Sequence, residues 1–303
     1  MTSLNIYNTH SSHGWFVLDK PLGMTSAKAV AIVKRLSGGA KIGHTGTLDP
    51  LATGILPLAI GEATKLTRFL FDATKAYIFS VKWGSATDTD DMEGQVISAG
   101  GHVPSLEDVM GILSQFTGDV QQVPPVYSAM KVGGKRAYAL ARSGVSVDLN
   151  ARTVSIYALT VLNHDVSGGI TQFNVVCGKG TYVRSLARDM ALALSTYGHV
   201  VELRRTKVGK FTINDAISLE SLEEMVYKQP FSGFLLPLEE VLDDIPVLSC
   251  SPQEKALLIV GQKITRLCDL PDGDVVPLFS EGRLFALGQI DGDSIKPARI
   301  LNI

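Results

Sequence analysis

Five glycines fall between Gly38 and Gly54, and inside that stretch lies an Asp-Pro step, Asp49 and Pro50. So much glycine and proline excludes a regular helix or a long strand, so the stretch reads as a structured loop rather than an element. Its flanks fix how such a loop is held. Before it, Thr25 or Ser26 is placed to cap a helix running through AKAVAIVKRL, which Gly38 and Gly39 stop. After it, ILPLAIG is a continuous apolar run suited to a buried strand, and ATKLTRFLF carries a helical pattern. Loops anchored between buried elements are where folds present chemistry. Asp49 is an isolated acid in an apolar surround, with His44 and several threonines close by.

Elsewhere strand and helix patterns intermix without a regular βαβ alternation, which favours an α+β fold over a doubly wound sheet. Trp15 to Leu18 reads as a short strand. In AYIFSVKW, Tyr77, Phe79, Val81 and Trp83 alternate with the period of a strand. A helix is expected from Ser105 to Phe116, and strands in TVSIYALTVL and TQFNVVC. Val183, Leu186, Ala187, Met190, Ala191 and Leu194 share one face of a helix, and VVELRRTKVGKF reads as a strand and its exit. The acidic segment after Asp215 holds a further helix. Beyond it, VVPLF, RLFALGQI and ARIL are short strand-like runs broken by turns, a pattern of a small β module.

The chain has 303 residues, and at roughly 150 residues per domain that suggests two domains. The expected division is a loose tail over 1–13, a large domain over 14–244 with an insertion around 120–150, and a small domain over 245–303. Hydrophobic residues make up 45% and charged residues 19%, so a sizeable core is available. Net charge is −2, yet the charge is unevenly placed. Five basic residues and no acid lie between Lys20 and Leu48, and four basic residues and no acid between Val120 and Val147. Seven basic residues face only Asp189 and Glu202 between Lys179 and Lys210. From Asp215 to Asp244 the balance reverses, with eight acids against Lys228. Such asymmetry suits a molecule with one positive face for a polyanion.

Cys177, Cys250 and Cys268 are far apart and form no CxxC pair, which fits reduced thiols rather than a disulfide framework or a zinc site. The N-terminal MTSLNIYNTHSSHGW shows no signal-peptide pattern, and no apolar run approaches the ~18 residues of a membrane span. The expectation is a cytoplasmic protein with no membrane segment. No GxxxxGK[ST] loop, no GxGxxG turn after a strand and no cluster of metal ligands occurs, so neither cofactor nor metal is expected.

Four stretches carry a family resemblance. GHTGTLDPLATGIL resembles the signature motif of the TruB-type tRNA pseudouridine synthases. GWFVLDKPLGMTS resembles that family's opening Lys-Pro motif, and VPPVYSAMKVGGKRAYALARSG its RNA-contacting insertion. GKGTYVRSLARDMALAL followed by LRRTKVGKF resembles its third catalytic motif. The four occur in the family's order and cover most of residues 14–211. The C-terminal module resembles the family's small PUA-like domain.

The resemblance implies a largely antiparallel mixed sheet flanked by helices, and isomerisation of uridine to pseudouridine at uridine 55 in the T-loop of tRNA. It implies no cofactor, and a monomer with tRNA as partner and no obligate protein partner. By the same resemblance Asp49 is the nucleophile, and Arg184 the arginine that holds it ionised. Arg184 falls in the first turn of its expected helix, where the macrodipole disfavours a cation, so helix stability alone would not select it. Tyr77 corresponds to the tyrosine that stacks on the target base, and Tyr182 and Leu203 to base-pocket residues. His44 corresponds to the histidine that fills the space of the displaced loop nucleotides, and Lys20 with Pro21 shapes the pocket floor.

Two rival readings remain. A carboxylate glycosidase or nucleoside hydrolase would need a second carboxylate, which Asp88, Asp90, Asp91 or Glu93 could supply, although that cluster reads as an acidic turn. A non-catalytic RNA-binding or RNA-folding module would be expected to have lost Asp49 or Arg184, and both are present. A metal enzyme fits least, given scattered His and Cys.

Overall fold

A computed structural model describes residues 13–128, 130–132, 134–136, 149–243 and 245–303. The expected loose tail, apart from His13, and much of the expected insertion lie outside these described residues. The first strands and helices run β1 (Gly14–Lys20), α1 (Ser26–Leu36), β2 (Ile42–His44), β3 (Ala52–Ile60), α2 (Thr67–Asp72) and β4 (Lys75–Trp83). Next come β5 (Ser85–Thr87), β6 (Val96–Ala99), α3 (Leu106–Ile112), β7 (Gly118–Gln122), β8 (Lys131–Val132) and β9 (Lys135–Arg136). They are followed by β10 (Arg152–Asp165), β11 (Ile170–Cys177), α4 (Val183–Ala193), β12 (Gly198–Val208), β13 (Phe211–Thr212), β14 (Ile217–Ser218) and α5 (Leu219–Met225). The last part contains β15 (Leu248–Ser249), α6 (Pro252–Ile259), β16 (Ile264–Thr265), β17 (Val275–Ser280), β18 (Arg283–Asp291) and β19 (Ser294–Ile300).

The architecture is α+β, as expected. A ten-stranded sheet has the backbone order β14-β1-β3-β12-β4-β11-β10-β7, with β13 added to β12 and β2 to β3. It is mixed but largely antiparallel: only β1 with β14 and β3 with β12 pair in parallel. Alternation along β1 sends Phe16 and Leu18 into one apolar cluster, under α1 and α4, and Trp15 and Val17 into another on the opposite face. The second cluster is shared with Leu284 and Leu287 of β18 and with Leu301, so the C-terminal five-stranded sheet, β15-β17-β18-β19-β16, seals the back of the large one.

The loop expected over Gly38–Gly54 needs correction at both ends. It contains the short strand β2, and β3 begins at Ala52, so Gly54 belongs to a strand. The cause is a change of partner. β3 pairs with β12 at Ala52–Gly54 and with β2 at Leu58–Ile60. Between those two ladders Pro57 has no N–H to lose, its carbonyl accepts from the Thr45 amide at 3.3 Å, and the Ile55 carbonyl accepts from Arg205 Nε at 2.7 Å. At Gly54, φ is +98° and a Cβ would lie 2.2 Å from the Arg205 carbonyl oxygen, so only glycine fits.

Two further readings are refined. Thr25 is the cap of α1, accepting from the Lys28 amide at 3.1 Å, whereas Ser26 is buried and reaches across to the loop. Its hydroxyl donates to the Leu48 carbonyl at 2.9 Å and accepts from the Leu48 amide at 2.8 Å. Helix α6 was not read from the sequence, although Ser251 and Glu254 form a capping box with Pro252 at the first helical position. Removing the Ser26 hydroxyl orphans two buried backbone groups beside Asp49. Ser26→Ala is therefore expected to lower unfolding free energy by about 1–3 kcal/mol in a denaturant titration.

Candidate active site

A cavity of about 580 Å³ opens beside the start of β3, between the loop at residues 45–49 and the 178–184 turn that leads into α4. Its wall includes Asp49, Tyr77, Tyr182, Arg184 and Leu203, which come from four separate stretches of the chain. Tyr77 is delivered by β4 and Leu203 by β12, strands that pair with Leu203 opposite Phe79 and Arg205 opposite Tyr77.

Arg184 is the centre of the arrangement. Its side chain is 4% exposed, because α4 packs its apolar face on the sheet and turns Arg184 inward between that face and the loops. Nη2 lies 2.9 Å from Oδ2 of Asp49, and Nη1 lies 3.4 Å from Oδ2 of Asp91. The same nitrogens donate to the carbonyls of Thr89 at 2.8 Å and Tyr127 at 2.9 Å. A buried guanidinium is costly unless its donors are met, and here carboxylates and carbonyls meet them from both sides.

The two carboxylates differ. The Asp49 side chain is 36% exposed and faces the cavity, while the Asp91 side chain is 4% exposed and sits behind the arginine. Asp91 also accepts from Thr89 Oγ1 at 2.5 Å and from the Glu93 amide at 3.1 Å. Burial pushes the Asp49 carboxyl above the ordinary carboxylate range, with the Arg184 charge pulling the other way. Burial likewise raises the Tyr77 phenol, so Tyr77 is neutral at neutral pH.

Sequence reasoning missed Asp91. The sequence groups it with Asp88, Asp90 and Glu93 in an acidic turn that could supply a second hydrolytic carboxylate, and the turn has a different job. Asp90 pairs with Arg188 at 2.9 Å and Asp88 accepts from the Gln95 amide, and none of the four lines the cavity. The turn instead braces Arg184 from behind. Four acids within six residues carry no pattern that says which one points inward.

Two buried cations also escaped the sequence reading. Arg205, 1% exposed, donates from Nη2 to the Gly46 carbonyl at 3.2 Å besides its bond to Ile55, and it stands opposite Tyr77 in the β4–β12 ladder. It ties the loop to the changeover in β3. Lys75 caps the end of α2 through the carbonyls of Phe71 at 2.8 Å and Ala73 at 2.6 Å, and desolvation brings its pKa down to about 8.

Two residues expected at the site lie outside the cavity wall. Lys20 is fully buried beneath the loop, where its ammonium donates to the carbonyls of Pro21 at 2.8 Å, Met24 at 2.7 Å and Pro50 at 3.4 Å. From there Lys20 holds the backbone next to Asp49. Desolvation lowers its pKa to about 8 against the pull of the Asp49 charge. His44 ends β2, and the cavity wall begins one residue later at Thr45. Among the described residues no group of three or more His, Cys, Asp or Glu is arranged to hold a metal ion, and no helix is long and apolar enough to cross a membrane.

Comparison with known proteins places this geometry in a family. Residues 34–183 match the model described as TruB family pseudouridylate synthase (N terminal domain), and residues 184–243 match the tRNA pseudouridylate synthase B C-terminal domain. The junction falls at Arg184, in the first turn of α4, between two strands (β11 and β12) of the same sheet. A tRNA pseudouridine synthase B of Rhodospirillum rubrum is 44% identical over 96% of this chain and 97% of its own length. Its counterpart in Caulobacter vibrioides is 46% identical over 96% of both chains. Among solved structures, the crystal structure of a Cbf5-Nop10-Gar1 complex is similar with a TM-score of 0.73 and 26% identity, covering 96% of this chain and 85% of that one. Matches of this identity across nearly the whole chain, on a fold of the same topology, establish that it belongs to the TruB family of pseudouridylate synthases.

Proposed function

We propose that this chain isomerises uridine to pseudouridine in tRNA, at uridine 55 of the T-loop, with Asp49 as the nucleophile. The observation that carries the proposal is the split environment of Asp49. One side of its carboxylate is held by the buried guanidinium of Arg184, and the other is open to a cavity of about 580 Å³. That is what an ionised nucleophile in a dry pocket requires. The names of the relatives support tRNA as substrate.

The isomerisation needs little else. The N1–C1′ bond breaks, the uracil turns, C5 bonds to C1′, and the proton lost from C5 is balanced by one gained at N1. Asp49 supplies the electron pair next to C1′ and C6, and Arg184 holds that carboxylate ionised and oriented. Tyr77 offers a ring for the base to stack on, while Leu203 and Tyr182 close the apolar walls. A stacked base cannot reach this cavity, so the uridine must be extruded at a cost of a few kcal/mol. A loop nucleotide has less to lose, and single-stranded loops are what proteins read in RNA. His44, beside the loop at the cavity's edge, is where displaced neighbouring nucleotides would pack.

Asp91 makes the central test clean. In Asp49→Asn the buried Arg184 keeps Asp91 and two carbonyls as partners, so the fold is expected to survive. Turnover of a T-arm RNA should be abolished while its affinity stays within several-fold of wild type. Joint loss of binding and turnover would assign Asp49 a structural role instead.

The pH dependence has a definite sign. Protonated Asp49 cannot attack, and burial raises its folded-state pKa, so activity is lost as pH falls through that raised value. The acid limb of kcat/KM is expected above the reference carboxylate value of about 3.9. Initial rates that stay flat down to about pH 4 would contradict the raised pKa of Asp49.

A further inference from the structure

Arg152, at the start of β10, lines the cavity and has no carboxylate or carbonyl partner among the described residues. Its guanidinium carbon sits 5.2 Å from the centroid of the Tyr182 ring, and its buried Nε has no acceptor. Arg184 and Arg205, the other arginines of the wall, are both hydrogen-bonded to protein oxygens. A guanidinium carries five donors in a planar fork that matches the oxygens of a phosphate.

The surroundings hold this fork in place and leave it uncovered. Gln122, 1% exposed, accepts from the Tyr182 amide at 2.8 Å and donates to the Tyr182 carbonyl at 3.1 Å, which fixes the residue whose ring supports Arg152. Gly180 has φ of +80°, and a Cβ there would stand 4.0 Å from the guanidinium carbon, so the missing side chain keeps that approach clear. Among the described residues the neighbouring charges do not cancel Arg152. Asp72 also lines the cavity, but it is paired with Lys179 at 2.7 Å.

We propose that Arg152, stacked on Tyr182, receives a backbone phosphodiester of the extruded nucleotide or its immediate neighbour. The inference rests on the functional reading above, because it needs a nucleotide whose base enters the cavity. It adds a specific ligand, one phosphate, to a specific side chain. Binding there fixes the sugar relative to Asp49 without reading base identity.

The test uses T-arm RNA hairpins in which one phosphodiester flanking the target uridine, 5′ or 3′, is replaced by a neutral methylphosphonate. Affinity and initial rates are measured for the full chain, for Arg152→Gln and for Arg152→Lys, with thermal unfolding run alongside. Wild type is expected to lose affinity about tenfold with one of the two neutral linkages. Arg152→Gln should lose about tenfold on native RNA and nothing further on that neutral linkage, with a salt slope shallower by about one phosphate contact. KM should rise much more than kcat falls, and Arg152→Lys should lie between, since it keeps the charge without the fork.

Equal weakening of all proteins by the neutral linkage would overturn the proposal. So would unchanged binding of native RNA by Arg152→Gln, or a lowered melting temperature with the phosphate dependence intact. Failure of the functional reading would show separately, as wild-type protein that binds native hairpin and forms no pseudouridine.

Discussion

The guanidinium of Arg184, held between Asp49 and Asp91, is the interaction around which the rest of this structure is arranged. A buried cation alone would cost several kcal/mol, and a single half-exposed carboxylate would compensate it poorly. Asp91, deep behind the arginine, takes on much of that compensation, which leaves Asp49 free to face the cavity. The helix α4 supplies the arginine, the turn at residues 87–95 supplies Asp91 and the Thr89 carbonyl, and the glycine-rich loop supplies Asp49. Three segments distant in sequence are thereby tied at one point.

Holding the loop that carries Asp49 is a problem of backbone accounting. β3 changes partner from β12 to β2, and the groups left between the two ladders are met by Pro57, by the Thr45 amide and by Arg205. Ser26 clamps Leu48 on one side of Asp49, and Lys20 gathers the carbonyls of Pro21, Met24 and Pro50 on the other. These are buried polar contacts that apolar packing could not replace, and they fix the backbone of the residue that must be placed most closely. The C-terminal sheet contributes at a distance, by covering Trp15, Val17, Ile55 and Ala59 on the reverse face of the strands that carry the loop.

Much of this was legible in the chain itself, and the limits have physical causes. Alternation in β4 and the helical face of α4 could be read because burial on one face imposes a period. Asp49 stood out because glycine and proline isolate it. Arg184 was assigned by the resemblance of its motif, with its place at a helix start as slight support. Asp91 did not, since four neighbouring acids look alike until the turn folds. Arg205 and Lys75 were hidden for another reason: their partners are backbone carbonyls exposed only by the change of ladder and by the end of α2, neither of which leaves a sequence pattern. The carbonyls that Lys20 holds could not be read, because sequence does not reveal which way a long side chain turns. The capping box of α6 was legible and went unread beside the turn signals around it.

The central claim is most directly tested by incubating an unmodified tRNA transcript with the protein and mapping pseudouridine chemically at single-nucleotide resolution. The account requires one new pseudouridine, at uridine 55 in the T-loop, with the chain intact and no uracil released. Pseudouridine at none of the T-loop positions, with the transcript bound, would contradict it and leave an RNA-binding module. Free uracil in place of pseudouridine would contradict it in favour of a hydrolase.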